Sequence, residues 1–323
     1  MKAILITQPG GPEVLRYGEA PDPLPGDGDL VVRTYASAIN RADVMQRRGN
    51  YAPPPGASPI LGLELAGEVE RGAGDWKPGD RVMAVVTGGG YAEKAAFPAG
   101  MAMRIPDRLS YTEAAAIPEA FLTAYLNLFT LGRLAAGETV LIHAGASGVG
   151  TAALQLAKAA GAQVCVTAGS ESKLLRCREL GAEVTINYQT ENFADRVLEG
   201  TDGRGADVVL DFVGAPYWEG NMRALATGGR LMFIGSLGGT RGELDMGAIM
   251  AKSLTLAGTT LRRYPLPRKM ELVKAFAAFA LPRFESGELM PIIDTVLPLA
   301  EAATAHARME SNANIGKIVL KVD

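Results

Sequence analysis

Gly145, Ser147, Gly148 and Gly150 carry the most specific chemical signal in this sequence. They stand in Val140-Leu-Ile-His-Ala-Gly-Ala-Ser-Gly-Val-Gly150, which runs on through Thr151-Ala-Ala-Leu-Gln-Leu-Ala-Lys-Ala-Ala-Gly161. That is an apolar strand, a turn of small residues and an alanine-rich helix. The helix start points unpaired N–H groups and a partial positive charge at the turn, which suits a phosphate. Against the Gly-x-Gly-x-x-Gly spacing, Gly145 and Gly150 hold the outer positions, Ser147 replaces the middle glycine, and Gly148 is an extra small residue. An ordinary strand-to-helix turn shares part of this pattern. The clear strand before it and the clear helix after it favour a dinucleotide site.

The next strand bears on which dinucleotide. Gly161 suits a helix C′ position, and Gln163-Val-Cys-Val-Thr167 reads as the second strand. An NAD site usually carries Asp or Glu at the end of that strand to hold the ribose 2′-hydroxyl. Here Ala168-Gly169-Ser170 occupies the place, and Lys173 follows one turn into the next helix. Small donors and a cation suit a 2′-phosphate, so NADPH is expected over NADH. Glu171 lies just past the strand end, where it could turn toward a ribose or remain a solvated charge, and Ser170 could equally cap the helix.

Composition narrows the class. A net charge of -3 and a pI near 5.6, with Lys and Arg scattered, provide no basic field for nucleic acid. The opening Met-Lys-Ala-Ile-Leu is too short an apolar run for a secretory signal, and no uncharged stretch approaches the roughly 20 residues of a membrane span, so a cytoplasmic location is expected. Cys165 and Cys177 are the only cysteines and read as packing residues. With His143 and His306 as the only histidines, neither a structural nor a catalytic zinc is expected.

Strand and helix alternate from Glu138 to Leu261 as in an α/β doubly wound parallel sheet. Strands are expected at 139–143, 163–167, 183–187, 207–212, 230–235 and 254–260, with helices at about 149–160, 171–180, 191–199, 216–226 and 245–250. Residues 1–120 are short β-rich runs broken by Pro and Gly, which suggests a small β-barrel-like domain. Helices near 267–286 and 298–309 precede a last strand at 316–322. That strand lies outside the six-strand unit and is expected to return to the first domain.

Taken together, Gly10-Gly-Pro-Glu-Val-Leu15, Asn40-Arg-Ala-Asp-Val-Met-Gln-Arg-Arg-Gly-Asn-Tyr51, Lys77-Pro-Gly-Asp-Arg-Val82, Gly137 through Lys158 and Asn314-Ile-Gly-Lys317 resemble the medium-chain dehydrogenase/reductase superfamily. Within it, the chain is most similar to the zeta-crystallin-like NADPH:quinone oxidoreductases. Ser147 departs from the glycine usual in that signature. The resemblance implies a GroES-like catalytic domain at 1–120 closed by the tail 265–323, a Rossmann NADP-binding domain at 121–264, an active site in the cleft between them, and a homodimer joined through sheet edges near Leu254–Leu261. Zinc-containing relatives have Gly-His-Glu where this chain has Gly62-Leu63-Glu64.

By the same resemblance, Asn40, Asp43, Tyr51 and Thr123 line the nicotinamide end. Ser147, Gly148 and Val149 meet the pyrophosphate, and Gly169, Ser170, Lys173 and Tyr188 the adenosine phosphate end. Ile234, Ser236 and Asn314 reach the nicotinamide and its ribose. Read from the residues alone, Asp43 could instead cap a helix or pair with a cation, Asn314 could cap the turn before the last strand, and Tyr51 could pack the Ala52-Pro-Pro-Pro55 loop.

Hydride transfer to an ordinary ketone needs a group that stabilises the developing alkoxide, often a metal. A quinone accepts electrons readily and its reduced oxygens are phenol-like, so positioning supplies most of the catalysis. The expected activity is metal-free transfer of hydride or single electrons from NADPH to a quinone. Tyr51 would donate a hydrogen bond to the quinone oxygen, and Ser147 is the second polar candidate. An NADPH-dependent enoyl or alkenal double-bond reductase is the nearest alternative. A non-catalytic, crystallin-like NADPH-binding protein is the other.

Overall fold

The computed structural model describes residues 1–322. The chain forms two compact units, 123–261 and 1–122 together with 262–322.

The unit 123–261 is built on six strands, numbered here β1 (Thr139–Ile142), β2 (Gln163–Ala168), β3 (Val184–Asn187), β4 (Ala206–Asp211), β5 (Leu225–Phe233) and β6 (Thr255–Gly258). They pair in the order 3-2-1-4-5-6, parallel throughout. The central strands are apolar runs because helices cover both faces; Val140, Leu141, Ile142, Val164, Val166, Val208 and Leu210 are fully buried. Order reverses beside β1, where ligands gather at the carboxyl ends of such sheets.

Most expected bounds hold to within one or two residues, and the larger differences lie in the second half of the sheet. β5 begins at Leu225 rather than 230, because an irregularity in its pairing lets Leu225 face Ala206 before Arg230 faces Val208, with Gly228 at φ 75° between them. The helix expected over 216–226 therefore stops at Ala224. β6 is also shorter than 254–260, ending at Gly258.

In the other unit, the seven-stranded sheet runs Ile293–Pro298, Lys317–Lys321, Asp29–Ala38, Glu64–Arg71, Arg81–Val85 and Ala102–Arg104, with Lys94–Pro98 also paired to Asp29–Ala38. A separate ribbon joins Lys2–Ile6 to Leu15–Glu19. The C-terminal strand lies antiparallel to Asp29–Ala38, with Val319 opposite Ala38. Gly67 is required on Glu64–Arg71, since a Cβ there would stand 1.9 Å from the Arg33 carbonyl oxygen. Helix Leu266–Ser286 matches the expected segment, whereas the expected helix at 298–309 is a short 3-10 turn, Leu299–Glu301, followed by helix Ala302–Glu310. A short helix, Arg41–Arg47, forms where Asp43 could be read as a helix cap, though no helix bounds were expected there.

Candidate functional site

The glycine turn closes tightly onto its sheet. Gly145 N–H donates to the Thr167 carbonyl at 2.9 Å, and a Cβ on Gly145 would come within 2.7 Å of Val166 Cβ. A Cβ on Gly150 would meet the Ala144 carbonyl oxygen at 2.4 Å, so only glycine lets the helix start this close to the strand end. Helix Gly148–Ala159 is capped by Ser147, whose Oγ accepts from Gly150 N–H at 3.0 Å. Ser147 thus has a folding role, and its hydroxyl proton is left to donate. Gly148 and Val149 head the helix, where N–H groups have no intrahelical acceptor.

At the end of β2, Gly169 leads to Ser170, the first residue before helix Glu171–Glu179. Ser170 makes no side-chain cap; its hydroxyl lies 3.2 Å from that of Ser172. Glu171 pairs with Arg178 at 2.8 Å, which turns its charge along the helix. Tyr188, 46% exposed, stands over Gly169, since a Cβ there would be 2.5 Å from the Tyr188 hydroxyl. Tyr188 thus lies against Gly169, Ser170 follows with no carboxylate at the strand end, and Lys173 is half-buried on the first helical turn.

Beyond β5, Ile234 N–H donates to the Asp211 carbonyl at 2.8 Å, and Ser236 is exposed. Sequence reasoning missed what holds these strand ends. Buried Asp211 accepts from Val213 and Gly214 N–H through Oδ1 and from Asn221 through Oδ2. Asn221 in turn contacts His143 Nε2 at 2.8 Å, and His143 Nδ1 contacts Thr167 at 3.0 Å. Burial lowers the His143 pKa, so the ring is neutral. Thr123 is buried at the start of this unit, its carbonyl accepting from Asn127 Nδ2 at 2.8 Å.

The second constellation lies in the other unit. Asp43 is 1% exposed and both its oxygens are taken, Oδ2 by Asn40 N–H at 2.8 Å and Oδ1 by Gly62 N–H at 3.0 Å. It caps helix Arg41–Arg47 and fastens the Gly62 strand entry. Burial pushes its carboxyl up to about 6 against those two bonds. Asn40 faces inward: Nδ2 donates to Glu64 Oε1 at 2.8 Å, and Oδ1 accepts from Lys317 Nζ at 2.7 Å. Asn314 Nδ2 donates to the Gly316 carbonyl at 2.8 Å, a turn-holding bond. The hydrogen bonds thus give Asp43 and Asn314 the capping roles their positions allow.

Lys317 and Glu64 are the missed pair at the centre of this cluster. Nζ lies 2.7 Å from Glu64 Oε1 and donates also to the Ile39 carbonyl at 2.9 Å. Glu64 Oε2 accepts from Glu119 N–H at 2.8 Å. The Glu119 carboxyl has a sealed Oε2 with no hydrogen-bond partner, and burial, then the neighbouring Glu64 charge, push it up to about 8. A signal was available: Glu64 and Lys317 each open a strand beside apolar residues, Leu61 and Leu63 before the one and Ile318-Val-Leu320 after the other, where a charge needs a buried partner.

Tyr51 is half-buried with the Arg262 guanidinium 5.4 Å over its ring. Its hydroxyl has no hydrogen-bond partner among the described residues. Burial raises the phenol pKa, outweighing the lowering by Arg262, so the hydroxyl is protonated at neutral pH. Of the residues expected at a nicotinamide end, Asn40, Asp43 and Tyr51 fall in this unit with Asn314, while Thr123, Ile234 and Ser236 fall in the other.

Two models of protein families match the chain: an alcohol dehydrogenase GroES-like domain over 26–107 and a zinc-binding dehydrogenase domain over 148–278. Curated quinone oxidoreductases from Pseudomonas aeruginosa and Rattus norvegicus are 38% and 31% identical, over 99% of this chain and 99% and 97% of theirs. The chain belongs to the quinone oxidoreductase family of the medium-chain dehydrogenase/reductase superfamily. It is an oxidoreductase fold with a GroES-like domain and a Rossmann sheet. Among solved structures, an NAD-dependent alcohol dehydrogenase superposes with TM-score 0.89 at 35% identity, covering all of both chains. A mycobacterial protein complexed with NADPH matches with TM-score 0.89 at 32% identity, over 99% of this chain and 100% of that one. The CurK enoyl reductase matches with TM-score 0.88 at 26% identity, over 100% and 99%.

The zinc named in one of those family descriptions does not fit these residues. Leu63 stands between Gly62 and Glu64, and Glu64 is committed to Lys317, Asn40 and the Glu119 amide. Among the described residues no three His, Cys, Asp or Glu side chains gather as a ligand set.

Proposed function

We propose that this chain is an NADPH-dependent quinone reductase. The observation that carries the reading is a protonated Tyr51 hydroxyl beside Arg262 with no hydrogen-bond partner among the described residues, which we take as the donor to the acceptor. NADPH, when bound, supplies hydride or single electrons to the acceptor. Gly148 and Val149 N–H groups hold its pyrophosphate, with Ser147 fixing the helix start and offering its own proton. Gly145 and Gly150 allow the close approach. The carboxylate-free surface of Gly169, Ser170, Lys173 and Tyr188 takes the 2′-phosphate, which supports NADPH over NADH. Ile234, Ser236 and Thr123 face the nicotinamide end of the same ligand.

Tyr51 donates to the acceptor oxygen and so stabilises negative charge as it develops there. Asn40, Asp43 and Asn314 act as positioning residues: they fasten the helix and turn that carry the acceptor side. The functional unit is a homodimer paired along β6, which is an edge strand of its sheet. Two buried free cysteines fit a reducing, cytoplasmic setting. No helix is long and apolar enough to cross a membrane among the described residues.

Reduction of a conjugated enal or enoyl double bond is the second reading, favoured by the likeness to an enoyl reductase and by the suitability of Tyr51 for a carbonyl oxygen. Steady-state oxidation of NADPH against ortho- and para-quinones and α,β-unsaturated aldehydes decides between them. Preference for quinones supports the proposal, preference for enals supports the second reading, and tight NADPH binding without turnover on any acceptor supports a non-catalytic role.

A further inference from the structure

We infer that the cavity beside the Pro53–Ser58 segment is a subsite for an oxyanion on the acceptor, a carboxylate, sulfonate or phosphate group, with Lys269 as its principal partner. This rests on the acceptor reading above. The cavity has a volume of about 720 Å³, within the usual range for small-molecule sites. Its walls combine apolar surface from Pro54, Val86, Phe97 and Met101 with the cations Arg262 and Lys269.

Lys269 is the unusual member. It is 4% exposed, and its ammonium makes one hydrogen bond among the described residues, to the Arg262 carbonyl at 3.1 Å. An ammonium carries three donors, so two have no protein partner among the described residues at the wall of the cavity. It also stands in the first turn of helix Leu266–Ser286, the end where a cation opposes the helix dipole. Burial lowers its pKa accordingly. Two costs at one residue are relieved together by an anion.

The neighbouring charges agree. Arg262 is 5% exposed and anchored, Nε and Nη2 donating to the Thr87 carbonyl at 3.0 and 2.6 Å and Nη1 to Gln46 Oε1 at 2.7 Å. The same guanidinium covers the Tyr51 ring, so a ligand bonded to Tyr51 can extend an arm past Arg262 into the cavity. Exposed Arg263 adds a cation at the rim. Asp29 is the opposing charge in the lining, and its Oδ2 is engaged by Gly26 N–H at 2.9 Å. Glu119 favours the charged form of Lys269 but forms no ion pair with it within 4.0 Å.

The test compares naphthoquinone with its sulfonated analogue as acceptors for NADPH, in wild type, Lys269→Met and Arg263→Gln. In Lys269→Met the ratio of kcat/KM for the sulfonated over the parent quinone falls about tenfold, the scale of one charge-assisted hydrogen bond. In Arg263→Gln it falls about twofold, as an exposed charge allows. A structural role for Lys269 would move both acceptors together, and an unchanged ratio overturns the subsite. Binding of naphthalene sulfonate to the wild-type enzyme, read by thermal protection and weakened by Lys269→Met or Lys269→Gln, provides a readout without turnover. If neither quinone is reduced, the acceptor reading fails while this binding still decides the subsite; absence of sulfonate binding to wild type overturns it.

Discussion

Replacing Lys317 with methionine strands a buried carboxylate. The Glu64 and Lys317 side chains are 0% and 5% exposed and 2.7 Å apart. In Lys317→Met, Glu64 keeps its bonds from Asn40 Nδ2 and Glu119 N–H but loses its cation, while Asn40 Oδ1 and the Ile39 carbonyl lose a donor. Removing one partner of a buried pair costs about 3–5 kcal/mol, most of it the uncompensated charge. With a urea slope of about 2 kcal/mol per molar, the midpoint falls by roughly 2 M. Trp76 lies in the same unit as the pair and Trp218 in the other, so urea unfolding followed by fluorescence in a Trp218→Phe background reports the relevant transition. Adding Glu64→Gln removes the stranded charge and recovers more than half of the loss. A midpoint shift of less than about 0.5 M, or a double variant as unstable as the two single losses added, would refute the reasoning.

Tyr51→Phe lowers quinone turnover about tenfold, the scale of one hydrogen bond, and leaves NADPH affinity unchanged; equal kinetics would remove Tyr51 from the acceptor site. Ser170→Asp places a carboxylate where the 2′-phosphate is expected and shifts the NADPH-to-NADH preference toward NADH by about tenfold or more, measured as the ratio of kcat/KM values; an unchanged ratio contradicts that location. Gly150→Ala brings a methyl 2.4 Å from the Ala144 carbonyl oxygen, so coenzyme binding measured by fluorescence titration is lost even where the variant remains folded. Glu119 titrates near 8 in the folded chain against an ordinary value of 4.5. The folded state therefore binds the extra proton between those values, and its contribution is complete below the lower one and lost as pH rises to the upper. Glu119→Gln gains stability relative to wild type by up to about 1.4 kcal/mol per pH unit across that window and then levels off; a flat difference from pH 5 to 8 would show that Glu119 is ionised throughout.

The alternation of apolar strands with helices between 139 and 258 was legible in the sequence because each segment announces itself locally: a run of Val, Leu and Ile, a small-residue turn, and a helix with a following glycine. The return of the last strand was legible too, as an apolar segment left outside a complete sheet. The early start of β5 was not, since it depends on pairing Leu225 with Ala206 on another strand. The same limit applies to the polar clusters. Asn40 meets Glu64 24 residues away and Lys317 277 residues away, and His143 meets Asn221 78 residues on. Position in a motif identifies Asp43 and Asn314 as polar residues of interest. Only the fold shows that both Asp43 oxygens accept from backbone N–H groups and that Asn314 Nδ2 donates to a backbone carbonyl.

Oxidation of NADPH by a quinone after exhaustive treatment with a metal chelator tests the central claim most directly, with NADH run beside it. Full turnover after chelation, with kcat/KM for NADPH at least about tenfold above that for NADH, is the predicted result. Activity abolished by chelation and restored by zinc, or no quinone-dependent oxidation of either coenzyme, would contradict it.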